Sequence, residues 1–177
     1  LGAIGTPDAT YGAGLMNIKN VYGSISQAAG YQISTAQGDV RTNSIGYHAA
    51  NGRVLTGINV GTDTATDETF DDSNLVSPVI EGTVNDGQHL SHVESNAYVL
   101  SYDIPTKTYT ATHIRFINNN SGGDVTIGEV ALIAAGYCLG VGGIEFCTSR
   151  DHLLTPVVIP NGGQLKVTYT ISLVYPA

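Results

Sequence analysis

The last quarter of the chain alternates so regularly that it dictates the backbone. From Gln164 to Tyr175, Leu165, Val167, Tyr169, Ile171, Leu173 and Tyr175 point one way, and Lys166, Thr168, Thr170 and Ser172 the other. Side chains on a strand repeat every two residues, so this is a strand with one buried face. It is preceded by Thr155-Pro156-Val157-Val158-Ile159 and by Pro160-Asn161-Gly162-Gly163, where proline presets φ and Asn and Gly tolerate positive φ. Strand, turn and strand in this order predict antiparallel β structure, with the final strand forming one side of a core.

The same grammar recurs upstream. Residues 53–60 read as a strand and 61–75 as a loop with at most one short helical turn, because Pro78 just beyond it stops a longer helix. One or two strands fall within 88–103, and Pro105-Thr106-Lys107 marks a turn. Thr108–Asn118 and Val125–Cys138 are long strands. In the second, the apolar set shifts phase from Val125 and Ile127 to Val130 and Leu132, so Gly128-Glu129 is a candidate β-bulge. Short strands with frequent turn signals predict an all-β, antiparallel β-sandwich of jelly-roll-like build over residues 51–177. The 22 glycines suit so many turns.

Residues 1–50 are different. They are rich in Gly, Ala, Ser, Asn and Gln, with scattered apolar residues at Leu15, Met16, Ile18, Val21, Tyr22, Ile25 and Ile33. Such a segment buries little surface alone. It reads either as an extended arm that orders against neighbouring subunits, with Leu15, Met16, Ile18, Val21 and Tyr22 as its contacts, or as a flexible terminus. The chain opens on Leu1 without a basic-then-apolar leader, so its start is either cleaved or lies outside this sequence.

Charge narrows the partners. Fifteen acids against seven bases give a net charge of −8, and no Lys/Arg cluster occurs. Nucleic-acid binding needs a positive footprint, so none is expected. No apolar run approaches the roughly 18 residues of a membrane span.

The candidate sites are few. A two-residue turn at Gly142-Gly143 would set Cys138 opposite Cys147, about 4.5 Å apart between Cα atoms in a non-hydrogen-bonded pair. That spacing admits a disulfide; the other reading is two free thiols on a sheet face. The acidic group Asp63, Asp67, Glu68, Asp71 and Asp72 lacks the EF-hand pattern and reads as a solvated loop with capping residues. His89 and His92, three apart on a strand, face opposite ways and share no metal. Glu129 in an apolar run is either paired, with Arg115 or Arg150, or turned out to solvent by the bulge. In Arg150-Asp151-His152 neighbouring side chains diverge, which argues against a general acid–base pair. No nucleophile elbow, phosphate loop or dinucleotide fingerprint is present, so neither catalytic residues nor a cofactor are expected.

Particular stretches resemble a family of tailed-bacteriophage virion structural proteins. They are Ile58-Asn59-Val60-Gly61-Thr62-Asp63-Thr64-Ala65-Thr66-Asp67, the run Phe116–Leu132 through Asn118-Asn119-Asn120-Ser121-Gly122-Gly123-Asp124, Arg150-Asp151, and Thr155–Gly163 with the strand Leu165–Ile171. The resemblance spans residues 53–175 and excludes the first 50 residues and both cysteines. It implies a non-enzymatic component of the phage particle, in capsid or tail, whose partners are copies of itself and other virion proteins. An outer, decoration-like position on the capsid suits the acidic charge. A receptor- or host-glycan-binding module of a tail fibre or adhesin is the alternative.

Overall fold

The computed structural model describes residues 16–28, 31–32, 46–138 and 142–175. Among them there is no helix. The strands are β1 (Met16–Lys19), β2 (Ile25–Ala28), β3 (Tyr31–Gln32), β4 (Gly57–Gly61), β5 (Ile80–Glu81), β6 (His89–His92), β7 (Val99–Asp103), β8 (Thr108–Asn118), β9 (Val125–Cys138), β10 (Gly142–Ile159) and β11 (Gln164–Val174). The fold is all-β, as the alternation and turn chemistry predict.

Two sheets carry the body. In one, β9 lies between β10 and the pair β3 and β4; in the other, β8 lies between β11 and the pair β6 and β7, with β5 beyond β6. All pairs are antiparallel except β5–β6. One core cluster draws on both sheets: Ile58, Val60, Val125, Ile127, Val130, Leu132 and Ile159 from the first, Leu90 and Ile117 from the second. Each such side chain, fully buried, contributes about 1.5–3 kcal/mol.

β9 serves this core twice, with Val125 and Ile127 before, and Val130 and Leu132 after, a change of phase. The slip falls at Gly128-Glu129, where the sequence breaks step. Across from it, β10 accommodates the irregularity: pairing passes from His152↔Glu129 to Val157↔Ile127 and leaves Leu153–Pro156 bulged. Gly128 is required there, because a Cβ would overlap the Asp63 carbonyl. The slip turns Ala131 and Ile133 to the other side of the sheet, where Val21 and Leu75 cover them.

Part of the first 50 residues therefore packs on this same chain. Val21 is buried and its N–H donates to the Glu145 carbonyl at 3.0 Å. β3 pairs with the end of β9, and Gly46 bridges Ala135. Tyr22 is exposed. Of the other candidate arm residues, Met16 and Ile18 lie in β1, paired with β2, and Leu15 lies outside the described residues.

Arg115 locks the 50–59 segment to β8. It is fully buried and its guanidinium donates to the carbonyls of Arg53 (2.6 Å), Ile58 (2.8 Å) and Val93 (2.8 Å), and to Asn59 Oδ1 (3.2 Å). Burial lowers its pKa to about 10, with the charge of Glu81 acting in the opposite direction. It is not the partner of Glu129.

Two expectations are corrected. The β9–β10 hairpin does not turn at Gly142-Gly143: Gly142 pairs with Cys138, and Cys147 with Ile133. The cysteines are thus not opposite one another, and Cys147 is a free thiol. Its Sγ donates to the Ser149 carbonyl, and burial lifts its pKa to about 11. The second correction concerns the closing strand. β11 forms over the predicted residues and alternates between half-buried and exposed through Thr170, but from Ile171 onward both faces are exposed.

Candidate functional site: an uncovered apolar ribbon

β7, β8 and β11 run together past the end of the core as a three-stranded ribbon. Its rungs are Val99–Thr112–Thr170, Leu100–Ala111–Ile171, Ser101–Thr110–Ser172, Tyr102–Tyr109–Leu173 and Asp103–Thr108–Val174. Residues directly opposite across a sheet share a face. The face of Ile117, Leu165 and Val167 packs against the core, so by period two the same face further out carries Leu100, Ala111 and Ile171, then Tyr102, Tyr109 and Leu173. The other face carries hydroxyls at its centre, with Thr110 Oγ1 and Ser172 Oγ 3.5 Å apart, and Val99, Val174 and Asp103 in the flanking rungs.

The cover stops at a definite rung. Tyr47, itself packed on the core, meets the His113 ring edge-on at 5.1 Å between centroids. Tyr98 tilts over the same ring at 6.2 Å. Across from His113, the Tyr169 hydroxyl donates to Asp151. Burial lowers the His113 pKa; burial, reinforced by the Asp151 carboxylate, raises that of Tyr169. One rung further out, Leu100 is 48% exposed, and beyond it Tyr102 is 53% and Leu173 56% exposed. Ile171, Val174 and Tyr175 are also exposed. None of the inner-face residues from Leu100 to Leu173 is charged. Single exposed apolar residues are ordinary, whereas a contiguous strip of them marks a contact surface.

The acidic loop is structural. Arg150, fully buried as a side chain, donates through Nε to Glu129 Oε2 at 2.7 Å, through Nη1 to Asp72 Oδ2 at 2.9 Å and through Nη2 to the Thr66 carbonyl at 2.8 Å. Asp63 stands 3.7 Å away. Glu129 also accepts the N–H groups of Ser77 (2.7 Å) and Val76 (3.0 Å). Burial opposes charge on Arg150, but its carboxylate partners outweigh that and raise its pKa. Burial would likewise raise the Asp72 carboxyl; the Thr69 N–H and Arg150 bring it below the usual range. Of the two expected partners for Glu129, Arg150 is the right one.

The remaining candidates disperse. His89 bonds Asp86, and His92, on the opposite face of β6, is buried with Nδ1 2.7 Å from Glu81. Burial lowers the His92 pKa against the pull of that carboxylate. In Arg150-Asp151-His152, Asp151 engages Tyr169, while His152 Nδ1 stands 3.4 Å from Asp67. No set of three or more metal-ligating side chains converges among the described residues.

No protein-family model, curated protein or solved structure matches the chain. What the site can do follows from its residues alone. The ribbon offers an uncharged apolar surface for contact. The sequence pattern identified the β11 half of it but read it as core; Leu100 and Tyr102 were legible as apolar residues of a strand within 88–103, but not that they lie on an exposed face.

Proposed function

We propose that the chain is a non-enzymatic structural component of a bacteriophage virion: a β-sandwich subunit of jelly-roll-like build, in an outer, decoration-like position on the capsid, held there by contacts with its own copies and other virion proteins. The observation that carries this reading is the ribbon, whose apolar face continues out of the core with nothing over it among the described residues. The turn and strand motifs of residues 53–175 lend the virion context. The charge of −8 favours a position away from packaged DNA.

The test is Leu100→Asp with Leu173→Asp. Both side chains are exposed in the isolated chain, so the fold is retained. Self-association in sedimentation velocity and incorporation into particles, followed by antibody labelling, are lost. Normal incorporation of this variant would refute the reading. The alternative, a glycan-binding module of a tail fibre, is favoured by one feature: a shallow cleft lined by Ser149, Asp151, Thr168, Tyr169 and Thr170, where a ring, a carboxylate and hydroxyls lie together. Specific binding on a glycan array, abolished by Tyr169→Ala, would decide for it.

A further inference from the structure

Among the described residues the ribbon has a second unpartnered feature, the outer edge of β11. β11 is hydrogen-bonded along one side, to β8, in unbroken register from Gln164 to Val174. On the other side, alternate residues turn an N–H and a C=O outward. Natural edge strands of this length are blunted by proline, a bulge or several charges. Within Gln164–Val174 there is no proline, no register shift against β8, and a single charge, Lys166.

We propose that this edge pairs antiparallel with the β11 edge of a second copy of the chain, so that β7-β8-β11 continues into the β11-β8-β7 of its neighbour. The inference rests on the reading of the chain as an assembling subunit, and three observations select a second copy as the occupant. The first is self-complementarity. A two-fold axis perpendicular to the sheet keeps each face on its own side, so odd residues meet odd and even meet even. Val167, Tyr169, Ile171 and Leu173 then align with one another, and Thr168, Thr170 and Ser172 align as hydroxyl pairs, which are favourable across strands.

The second is charge. Each chain carries −8, but the strand Gln164–Val174 itself has no carboxylate, and the nearby Asp151 is engaged by the Tyr169 hydroxyl. The third is area. Leu100, Tyr102, Tyr109, Ile171, Leu173 and Tyr175 offer about 600 Å² per copy, at roughly 100 Å² for each partly exposed side chain. That is short of the roughly 800 Å² per partner of a standard interface, whereas two ribbons joined edge to edge exceed it. Pairing thus converts two marginal patches into one platform on which another particle protein can seat.

The experiment is a single-cysteine scan of positions 166–174 in a full-length chain with Cys138 and Cys147 replaced by serine. On a two-fold axis only one residue faces its own copy, with Cα atoms about 4.5–5.5 Å apart, inside the disulfide range. Residues two places away are separated from their own copies by roughly 13 Å and cannot bridge. Mild oxidation therefore gives a sharp maximum of disulfide dimer at one position and at least a tenfold fall two residues to either side. A flat or absent dimer yield overturns the proposal, as does a monomer in sedimentation velocity at 100-fold the concentration of the oxidation experiment.

Hydrogen exchange on the parent at high dilution identifies the rival occupant. Outward amides of β11 that stay protected there belong to an edge covered by the same chain, which also overturns the proposal. The two readings fail separately. A cross-link maximum that persists in Leu100→Asp, Leu173→Asp while that variant still joins particles sinks the function alone. Absence of the maximum, with particle incorporation abolished by the inner-face changes, sinks the pairing alone.

Discussion

Replacing Arg150 by methionine isolates the largest electrostatic term in the fold. The substitution keeps most of the side-chain volume and removes the charge. Glu129, 0% exposed, retains the Ser77 and Val76 N–H groups but loses the one cation bonded to it among the described residues. The carbonyls of Thr66 and Asp67 lose their donor as well. Breaking a buried pair from one side costs about 3–5 kcal/mol. Against a total stability of about 5–15 kcal/mol, that is a large share. At about 2–4 °C per kcal/mol for a chain of this size, the thermal midpoint falls by roughly 6–20 °C.

Glu129→Gln costs less, about 1–3 kcal/mol, because Arg150 keeps Asp72 and its carbonyl partners while one amide N–H2 meets a donor. The double variant is then less destabilised than the sum, with a coupling of about 1–3 kcal/mol. Arg53→Met is the control: its pair with Glu145 at 2.8 Å is partly exposed and is worth about 0–1 kcal/mol. Chemical denaturation of the parent and the four variants at pH 7 measures all the terms. If Arg150→Met proves no worse than Arg53→Met, or if the double variant is additive, the buried pair is not what holds the acidic loop to β9 and β10.

Three other outcomes are expected. Stability falls with acidification from pH 7: His92 and His113 have pKa values lowered by burial, so below about 6.5 the unfolded chain binds more protons than the folded one. Asp72 and Glu81, also lowered overall, extend the loss to lower pH as they titrate in the folded state. His113→Phe flattens the pH 5–7 limb of the melting curve and leaves the acid limb; a parent midpoint constant from pH 7 to 5 would contradict this. Gly128→Ala drives a methyl into the Asp63 carbonyl and the Thr64 side chain and destabilises by about 1–3 kcal/mol or more in thermal melts, whereas Gly162→Ala, with open space but φ +78°, costs about 1 kcal/mol through backbone strain alone. Cys147, whose pKa burial lifts to about 11, reacts with thiol reagents at pH 8 more slowly in the folded chain than after unfolding; a mass measurement without reductant that shows the loss of two hydrogens would overturn the observed hairpin register.

Local pattern revealed most of the strand inventory. Thr108–Asn118, Val125–Cys138 and the onset of the closing strand at Gln164 coincide with observed strands, because alternation and turn residues act over a few positions. The phase break at Gly128-Glu129 was legible for the same reason. The hairpin register was not: glycines at 140, 142 and 143 offer more than one place to reverse, and only packing chooses among them. The fate of Ile171 to Tyr175 was also hidden. Alternation tells which way a side chain points, but whether anything lies there depends on how far the opposing sheet extends. The acidic loop is exposed over residues 64–71, in keeping with a solvated loop, but its tie through Asp72 to Arg150 was hidden, because Arg150 is about 80 positions away along the chain and its other carboxylate partner, Glu129, is separated from that loop by four strands.

The route of the chain between the two sheets bears on mechanical load. β10 belongs to one sheet and β11 to the other, joined only by Pro160–Gly163, where the Gly163 N–H bonds the Pro160 carbonyl and Asn119 clasps both neighbouring loops. A pull on the C-terminus along the ribbon axis must slide β11 against β8, so the ladder from Gln164–Asn118 to Val174–Thr108 is strained in shear, many bonds sharing the force. A pull across the ribbon peels the same bonds one at a time. Only the first of these geometries resists.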